Sequence, residues 1–309
     1  MTSIIKDIAQ ARTFLGKAIS TSTNLSSMQP FFREAEETEL TRALGSEFVS
    51  ELRGMNVTSE NEAMFQIIRN AVAWYGYLKY LPFSIGQDGD FGLTESSNDG
   101  SKPVRIDVLD KRIRESGENA SNSMERVLKW AFENRSTYDS LDEYLTDRDC
   151  PWFESATQLT KFLPMVNNSY RLFVTLAPYM QSAEDELITP LLESEFSELR
   201  AKVAAGDSLT EPQSAMTKLV RYTLATATYA RAIRYLNIVL DSNGGLRILS
   251  DFDGIYNRKA VDLRTLGEMI SHAENEAGKW EAKLRKKLQK KPTGGLPDNS
   301  KYEGFIRLK

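Results

Sequence analysis

The sequence predicts a mainly α-helical protein made of two copies of one helical-bundle unit, each carrying a short β-hairpin arm, with an extended C-terminal tail. Three observations predict this. The chain repeats itself, its apolar residues recur at helical spacing, and in each copy two short apolar runs flank a glycine-containing turn.

The repeat comes first. Residues 14–48 lie on residues 162–196 without a gap, and ten of the 35 positions are identical. They include Phe14/Phe162, Pro30/Pro178, Ala35/Ala183, Glu36/Glu184, Thr41/Thr189 and Phe48/Phe196. Ordinary residue usage gives ~2 such matches by chance. Ala63, Met64, Arg69, Ala73 and Tyr77 recur 152 positions later, from Ala215 to Tyr229. Tyr80-Leu81 pairs with Tyr235-Leu236 at an offset of 155, and Glu118, Asn119, Glu125 and Leu128 recur at an offset of 156. An offset that grows in small steps is what loop insertions between packed elements produce.

In the first copy, Leu25, Met28, Phe32, Ala35, Leu40 and Leu44 mark one amphipathic helix, with Pro30 expected near its start. Gly45 offers a break before Glu47–Leu52. A second helix over Glu62–Tyr80 is rich in alanine, branched and aromatic residues, which predicts deep burial. A third covers Val108–Asn134, with a possible interruption at Gly117. Between the second and third, Phe83–Ile85 and Phe91–Leu93 flank Gly86-Gln-Asp-Gly89 as two strands around a turn. The second copy has Ile238–Leu240 and Leu246–Leu249 around Asn243-Gly244, the better hairpin signal.

These readings divide the chain into repeat unit 1 over 1–135, an aromatic connector over 136–155, repeat unit 2 over 156–291 and a tail over 292–309. The connector holds Tyr138, Tyr144, Trp152 and Phe153, too aromatic for a free linker, and is expected to pack on one or both units.

Composition narrows the chemistry. The 309 residues carry 43 acidic and 39 basic side chains, a formal charge of −4, which argues against a general polyanion binder. Apolar and polar residues alternate from Met1 to Lys17, so neither a secretory signal nor a membrane span is expected. One cysteine, Cys150, and one histidine, His272, exclude an internal disulfide and a Cys/His zinc site. His272 has Glu268 and Glu276 at helical spacing, but the first copy places Ser116 and Gly117 there, so a solvated histidine is the better reading. Glu34–Glu37 and Glu184–Glu186 are acidic in both copies, and solvated helix faces explain them better than Mg²⁺ ligands or acid/base groups. Glu36/Glu184 is the acid identical in both. Asp88-Gly-Asp90 and Asp251–Gly254 lack the spacing of a calcium loop, and no phosphate-cradling glycine motif is present. No enzyme, metal or cofactor is expected; a metal-dependent hydrolase using Glu36 and Glu184 is the minor third reading.

Partner-binding candidates are the basic run Arg285, Lys286, Lys287 and Lys290, the tail residues Tyr302, Phe305, Ile306 and Leu308, and the turn Asn243-Gly244. The basic run could contact DNA or an acidic protein, or be a solvated helix end that suits the helix dipole. The tail could add to a neighbour's groove or sheet edge, or be disordered.

The segments Pro30-Phe-Phe-Arg-Glu-Ala-Glu36 and Pro178-Tyr-Met-Gln-Ser-Ala-Glu184 resemble the P-[FY]-x-x-x-A-E unit of an uncharacterised structural-protein family of Bacteroidetes phages and prophages, with Glu193 departing where the pattern has glycine. The resemblance covers most of residues 1–250. It implies a virion protein of the head-to-tail connector, neck or adaptor type, assembled in the host cytoplasm. The implied partners are its own copies in a ring, the portal, tail or other neck proteins, and DNA passing without sequence recognition; no membrane is implied. Six two-unit chains would offer a pseudo-twelvefold surface, and twelve would match a twelvefold portal directly. The alternative is a non-virion helical scaffold or regulatory binding protein of phage or prophage origin.

Overall fold

The computed structural model describes residues 3–19, 23–84, 86–89, 92–95, 106–146, 148, 150–192, 194–236, 238–240, 246–248 and 263–289. Two helical repeats follow each other along the chain. In repeat 1, α1 (Ile8–Leu15) is capped by Asp7 and α2 (Leu25–Ala35) by Asn24. Helix α2 passes through one π turn, Glu36–Leu40, directly into α3 (Thr41–Leu44). Gly45 ends α3 at φ +86°, a conformation that favours glycine, and α4 (Ser46–Gly54) starts at once. Helix α5 (Glu62–Tyr80) is buried on almost every side and packs on α1, α2 and α6 (Ile106–Asn134). That burial follows from its near-continuous run of alanine, branched and aromatic residues.

Pro30 lies inside α2 rather than in its first turn, which corrects the sequence reading, and Pro178 is internal in the second copy too. Each removes an i→i−4 hydrogen bond, and each precedes a π turn by six residues. Helix α6 is continuous through Gly117, where a Cβ would meet nothing, so that glycine lowers helix propensity without breaking the helix.

The arm of repeat 1 differs in register from the sequence expectation. Leu81–Ser84 forms a 3₁₀ turn, anchored by buried Leu81 and started by Pro82. The strands are β1 (Gly86–Gly89) and β2 (Gly92–Glu95), paired antiparallel with Gly89 opposite Gly92, so the expected turn residues form the first strand. After α6 comes α7 (Asp139–Thr146), which packs on α3 and α4. Tyr144 Oη donates to the Arg42 carbonyl at 2.7 Å, and its ring lies where any Cβ on Gly45 would project.

Repeat 2 has α8 (Ala156–Thr160), α9 (Tyr170–Ala183), a π turn over Glu184–Ile188, α10 (Thr189–Leu192), α11 (Ser194–Ala205) and α12 (Glu211–Ala232). Strands β3 (Ile238–Leu240) and β4 (Leu246–Ile248) then pair with Ile238 opposite Ile248, and α13 (Leu263–Gln289) packs along α12. A capping box at Thr210 and Gln213 starts α12.

The repeat starts earlier than identities suggest. Lys6 N donates to Gln10 Oε1 at 2.9 Å, and Glu154 N to Gln158 Oε1 at 2.8 Å, at the same offset of 148. Residues 150–155 thus open repeat 2, while 136–146 belong with repeat 1; the expected 136–155 connector is divided between them. Burial also resets the later offsets. The 152 offset continues through Leu81/Ile233 to Phe83/Tyr235, replacing the Tyr80/Tyr235 pairing. Helices α6 and α13 match at 157, where Val127/Leu284 and Ser116/Ala273 are both buried, and not at 156.

One set of contacts fixes repeat 2 onto repeat 1. Glu125 of α6 accepts hydrogen bonds from Ser169 Oγ and, at 2.7 Å, from Tyr170 N, so it caps α9 from outside. Phe132 of α6 meets Tyr170 and Phe173 of α9 with centroids 5.6 and 5.5 Å away.

A size exchange marks the central helix contact. Gly76 lies against the Phe32 ring and backbone, with no room for a Cβ, and the equivalent positions of repeat 2 hold Thr228 and the narrower Met180. Gly76→Ala is therefore expected to lower stability by about 1–3 kcal/mol through overpacking. Urea unfolding should show partial recovery when Phe32→Leu is added; an unchanged midpoint for Gly76→Ala would contradict the contact.

Candidate functional site

The same side chain is buried at the same place in both repeats. Glu36 is fully buried at the first position of its π turn, and Glu184 is 3% exposed at the first position of the other. Glu36 Oε1 accepts from Ser3 Oγ and, at 2.8 Å, from Ile4 N; its Oε2 accepts from Arg53 Nε at 3.0 Å. Glu184 Oε1 accepts from Trp152 Nε1 at 3.1 Å and from Arg200 Nε at 2.6 Å. A second guanidinium ties down the segment that supplies these donors. Arg69 Nε donates to the Ile4 carbonyl at 3.3 Å, and Arg221 Nε to the Trp152 carbonyl at 2.7 Å. Burial lowers the pKa of both Arg69 and Arg221, yet a guanidinium remains charged throughout the range in which proteins fold.

The acidic clusters are thus not uniform solvated faces. Glu34, Glu37, Asp185 and Glu186 are exposed, but the Glu36/Glu184 pair lies in the interior. Its partners had a signal that ungapped comparison misses. Ser50-Glu-Leu-Arg53 recurs as Ser197-Glu-Leu-Arg200 once Val49 is treated as a one-residue insertion. Trp152 and Ser3 had none, because hydroxyl, amide and indole donors serve the carboxylate equally well. Both carboxylates are taken up by the protein's own donors, and among the described residues no group of three or more acids, histidines or cysteines could hold a metal. This arrangement braces the fold.

A second repeated feature faces outward. At the foot of each arm, Phe83 is 67% exposed and Tyr235 is 75% exposed. Phe83 rests on Phe31 at 5.3 Å between centroids, and Tyr235 stacks on Tyr179 at 6.3 Å with an interplanar angle of 19°. Tyr80 adds an edge contact to Phe31 at 5.5 Å in repeat 1 alone, since repeat 2 has Ala232 there. Beside Glu184, a depression of about 350 Å³ is lined by Asp185, Thr189, Ser197 and Arg200.

A family model matches residues 28–147 and again residues 184–303. The chain belongs to the DUF6712 family, a family of unknown function. No curated protein and no solved structure matches it. The two DUF6712 matches include the π turn and the buried glutamate of each repeat, with Phe31 and Phe83 in the first and Tyr235 in the second.

Among the sequence-predicted partner residues of this DUF6712 chain, Arg285, Lys286 and Lys287 stand exposed on α13, with Arg285 Nη2 2.7 Å from Glu281. Lys290, Asn243, Gly244, Tyr302, Phe305, Ile306 and Leu308 lie outside the described residues. His272 is exposed, while its neighbours Glu268 and Glu276 are engaged by Arg264 and Lys279. Cys150 is buried beside Phe153. Asp88 sits in β1; Asp90 and Asp251–Gly254 fall outside the described residues. Among the described residues no helix is long and apolar enough to cross a membrane.

The two braces should not be equal in strength. Glu36→Ala leaves a buried hydroxyl and an amide N–H without their acceptor and takes the nearer carboxylate from Arg53, whose side chain is 16% exposed and whose other carboxylate, Glu37, is 3.9 Å away. The expected cost is about 3–5 kcal/mol. Arg200 is 42% exposed and can turn to water, so Glu184→Ala should cost about 1–3 kcal/mol. Urea midpoints of the two variants test the order, and equal losses would contradict it.

Proposed function

We propose that this chain is a phage virion structural protein, a head-to-tail connector or adaptor ring subunit that links the portal to the tail and surrounds the DNA path. One observation carries the reading: two copies of a single braced unit, joined by Glu125, hold the same exposed aromatic pair at two places on one chain. An exposed aromatic resting on a second ring offers large contact area at low entropic cost, the usual chemistry of an interface anchor. Presenting it twice suits a partner that is itself repeated, such as a portal ring. The resemblance of the Pro30–Glu36 and Pro178–Glu184 segments to phage structural proteins points the same way.

In this reading the chain acts by assembly and without turnover. Its own copies form the ring, sixfold with a pseudo-twelvefold surface or twelvefold outright. Portal and tail or neck proteins bind its two sides, DNA passes without sequence recognition, and assembly takes place in the host bacterial cytoplasm before the protein joins the virion. A lumen-facing acidic surface would limit adhesion of the passing duplex, since carboxylates repel phosphate.

Native mass spectrometry of the purified chain, with protein mass spectrometry of purified particles, is the direct test. Six or twelve copies are expected, with the chain present in particles. Phe83→Ser combined with Tyr235→Ser should weaken assembly or portal binding at least about tenfold. A monomer absent from particles would instead support a non-virion scaffold or regulatory role.

A further inference from the structure

Helix α13 carries a row of lysines that ring assembly does not use. Lys279, Lys283, Lys286 and Lys287 follow one another at four-, three- and one-residue steps, so they share one face of the helix, and all four are exposed. The apolar residues of α13, among them Ile270, Ala273, Leu284 and Leu288, occupy a different face and pack inward. The row spans about 12 Å at 1.5 Å per residue. Lys279 bonds Glu276, whereas Lys286 and Lys287 have no ion pair among the described residues.

Two facts separate this row from an ordinary solvated helix end. The helix dipole favours cations only in the last turn, which holds Lys286 and Lys287 but not Lys279 or Lys283. Like charges at i and i+4, as in Lys279/Lys283 and Lys283/Lys287, also disfavour the helix unless something compensates them. At the equivalent positions of repeat 1 two cations stand instead of four: Asn122, Arg126 and Lys129 are exposed, Trp130 is half-buried, and Lys129 lies 3.9 Å from Glu133. Repeat 2 sets four lysines on this face against one acid, Glu276, which is taken up by Lys279. Lys283 Nζ sits 3.7 Å above the Trp280 ring, which stacks on Tyr222 at 4.1 Å and 6°, so the middle of the row is held on a rigid base.

We propose that this face of α13 is a binding site for the nucleic-acid phosphate backbone, independent of base sequence. A protein partner would call for an apolar anchor beside the charges, and the exposed large apolar residues among the described ones, Val57, Phe83, Val108 and Tyr235, are all on other elements. Evenly spaced ammonium groups without an anchor fit a uniform row of phosphates. The site goes beyond the assembly reading and stands without it, because binding is a property of the purified chain whether or not that chain enters particles.

The test is fluorescence anisotropy of the full chain with labelled duplexes of about 30 base pairs and unrelated sequences, from about 50 to 200 mM salt. Equal binding of all sequences is expected, weakening with a log–log salt slope near −3 to −4. Replacing the four lysines by glutamine should reduce that slope by about one for each lysine that contacts a phosphate, whereas Lys111→Gln with Lys129→Gln should leave it unchanged. Circular dichroism confirms that these surface variants fold. No binding at the lowest salt, an unchanged quadruple variant, or competition by polyglutamate as effective as by DNA at equal charge would each overturn the proposal.

Discussion

A carboxylate removed from water has to be compensated by the chain that buries it, and in both repeats one glutamate imposes that demand. Meeting it constrains an entire corner of the fold. Glu36 and Glu184 each begin a π turn on the buried face of their helix, one turn after Phe32 and Met180, while neighbouring acids face out. The segment preceding α1 or α8 must cross close enough to donate, and an arginine from α4 or α11 must reach back. Arg69 and Arg221 then hold the crossing segment through its carbonyl. Four elements distant in sequence are positioned by one charge.

The same constraint explains what was legible in the sequence. Pro30, Ala35, Glu36 and Thr41 recur without a gap because the π turn leaves no freedom in that stretch. Helix α5 could be read to its ends, since its composition alone demands burial. The crossing segment could not: Ser3-Ile4 and Pro151-Trp152 share no residue, because a hydroxyl with an amide in one copy and an indole in the other satisfy the same acceptor. The solvated-face reading of Glu36 failed for a related reason. Glu36 follows Met28 and Phe32 at i+8 and i+4, so regular spacing already places it on the buried face; its charge suggested water, and the donors that satisfy it could not be read. The third helix misled through Glu118, Asn119 and Glu125, whose identities at an offset of 156 fall where polar residues are loosely constrained; buried Val127 and Leu284 set the true register one position later.

The repeats diverge where they meet. Glu125, Leu128 and Phe132 of α6 face α9 or lie buried beside it, and their counterparts on α13 are Ala282, Arg285 and Gln289. Ala282 has no acceptor to cap a helix end where Glu125 does, and Gln289 has no ring to pack where Phe132 does. The contact that joins repeat 1 to repeat 2 is therefore used once and offers no surface for adding a third repeat from another chain. A heterologous contact that could be extended indefinitely would build filaments, so losing it at the open end keeps the tandem a defined pair.

What remains for association is then divided by chemistry. The aromatic feet, Phe31/Phe83 and Tyr179/Tyr235, are shared by both repeats, so they belong to the ancestral unit and present a doubled surface. The lysine row exists in repeat 2 alone, on a face whose repeat-1 positions Asn122, Arg126 and Lys129 are exposed as well. Duplication thus did two things at once. It preserved an apolar contact in two copies, which favours partners with matching repetition, and it let one copy of an exposed helix face gain lysines that the other lacks. An exposed face needs only to be soluble, and mixed charge would achieve that at less electrostatic cost than four lysines. The lysine row of α13 is consequently the feature least explained by folding and most in need of a polyanion.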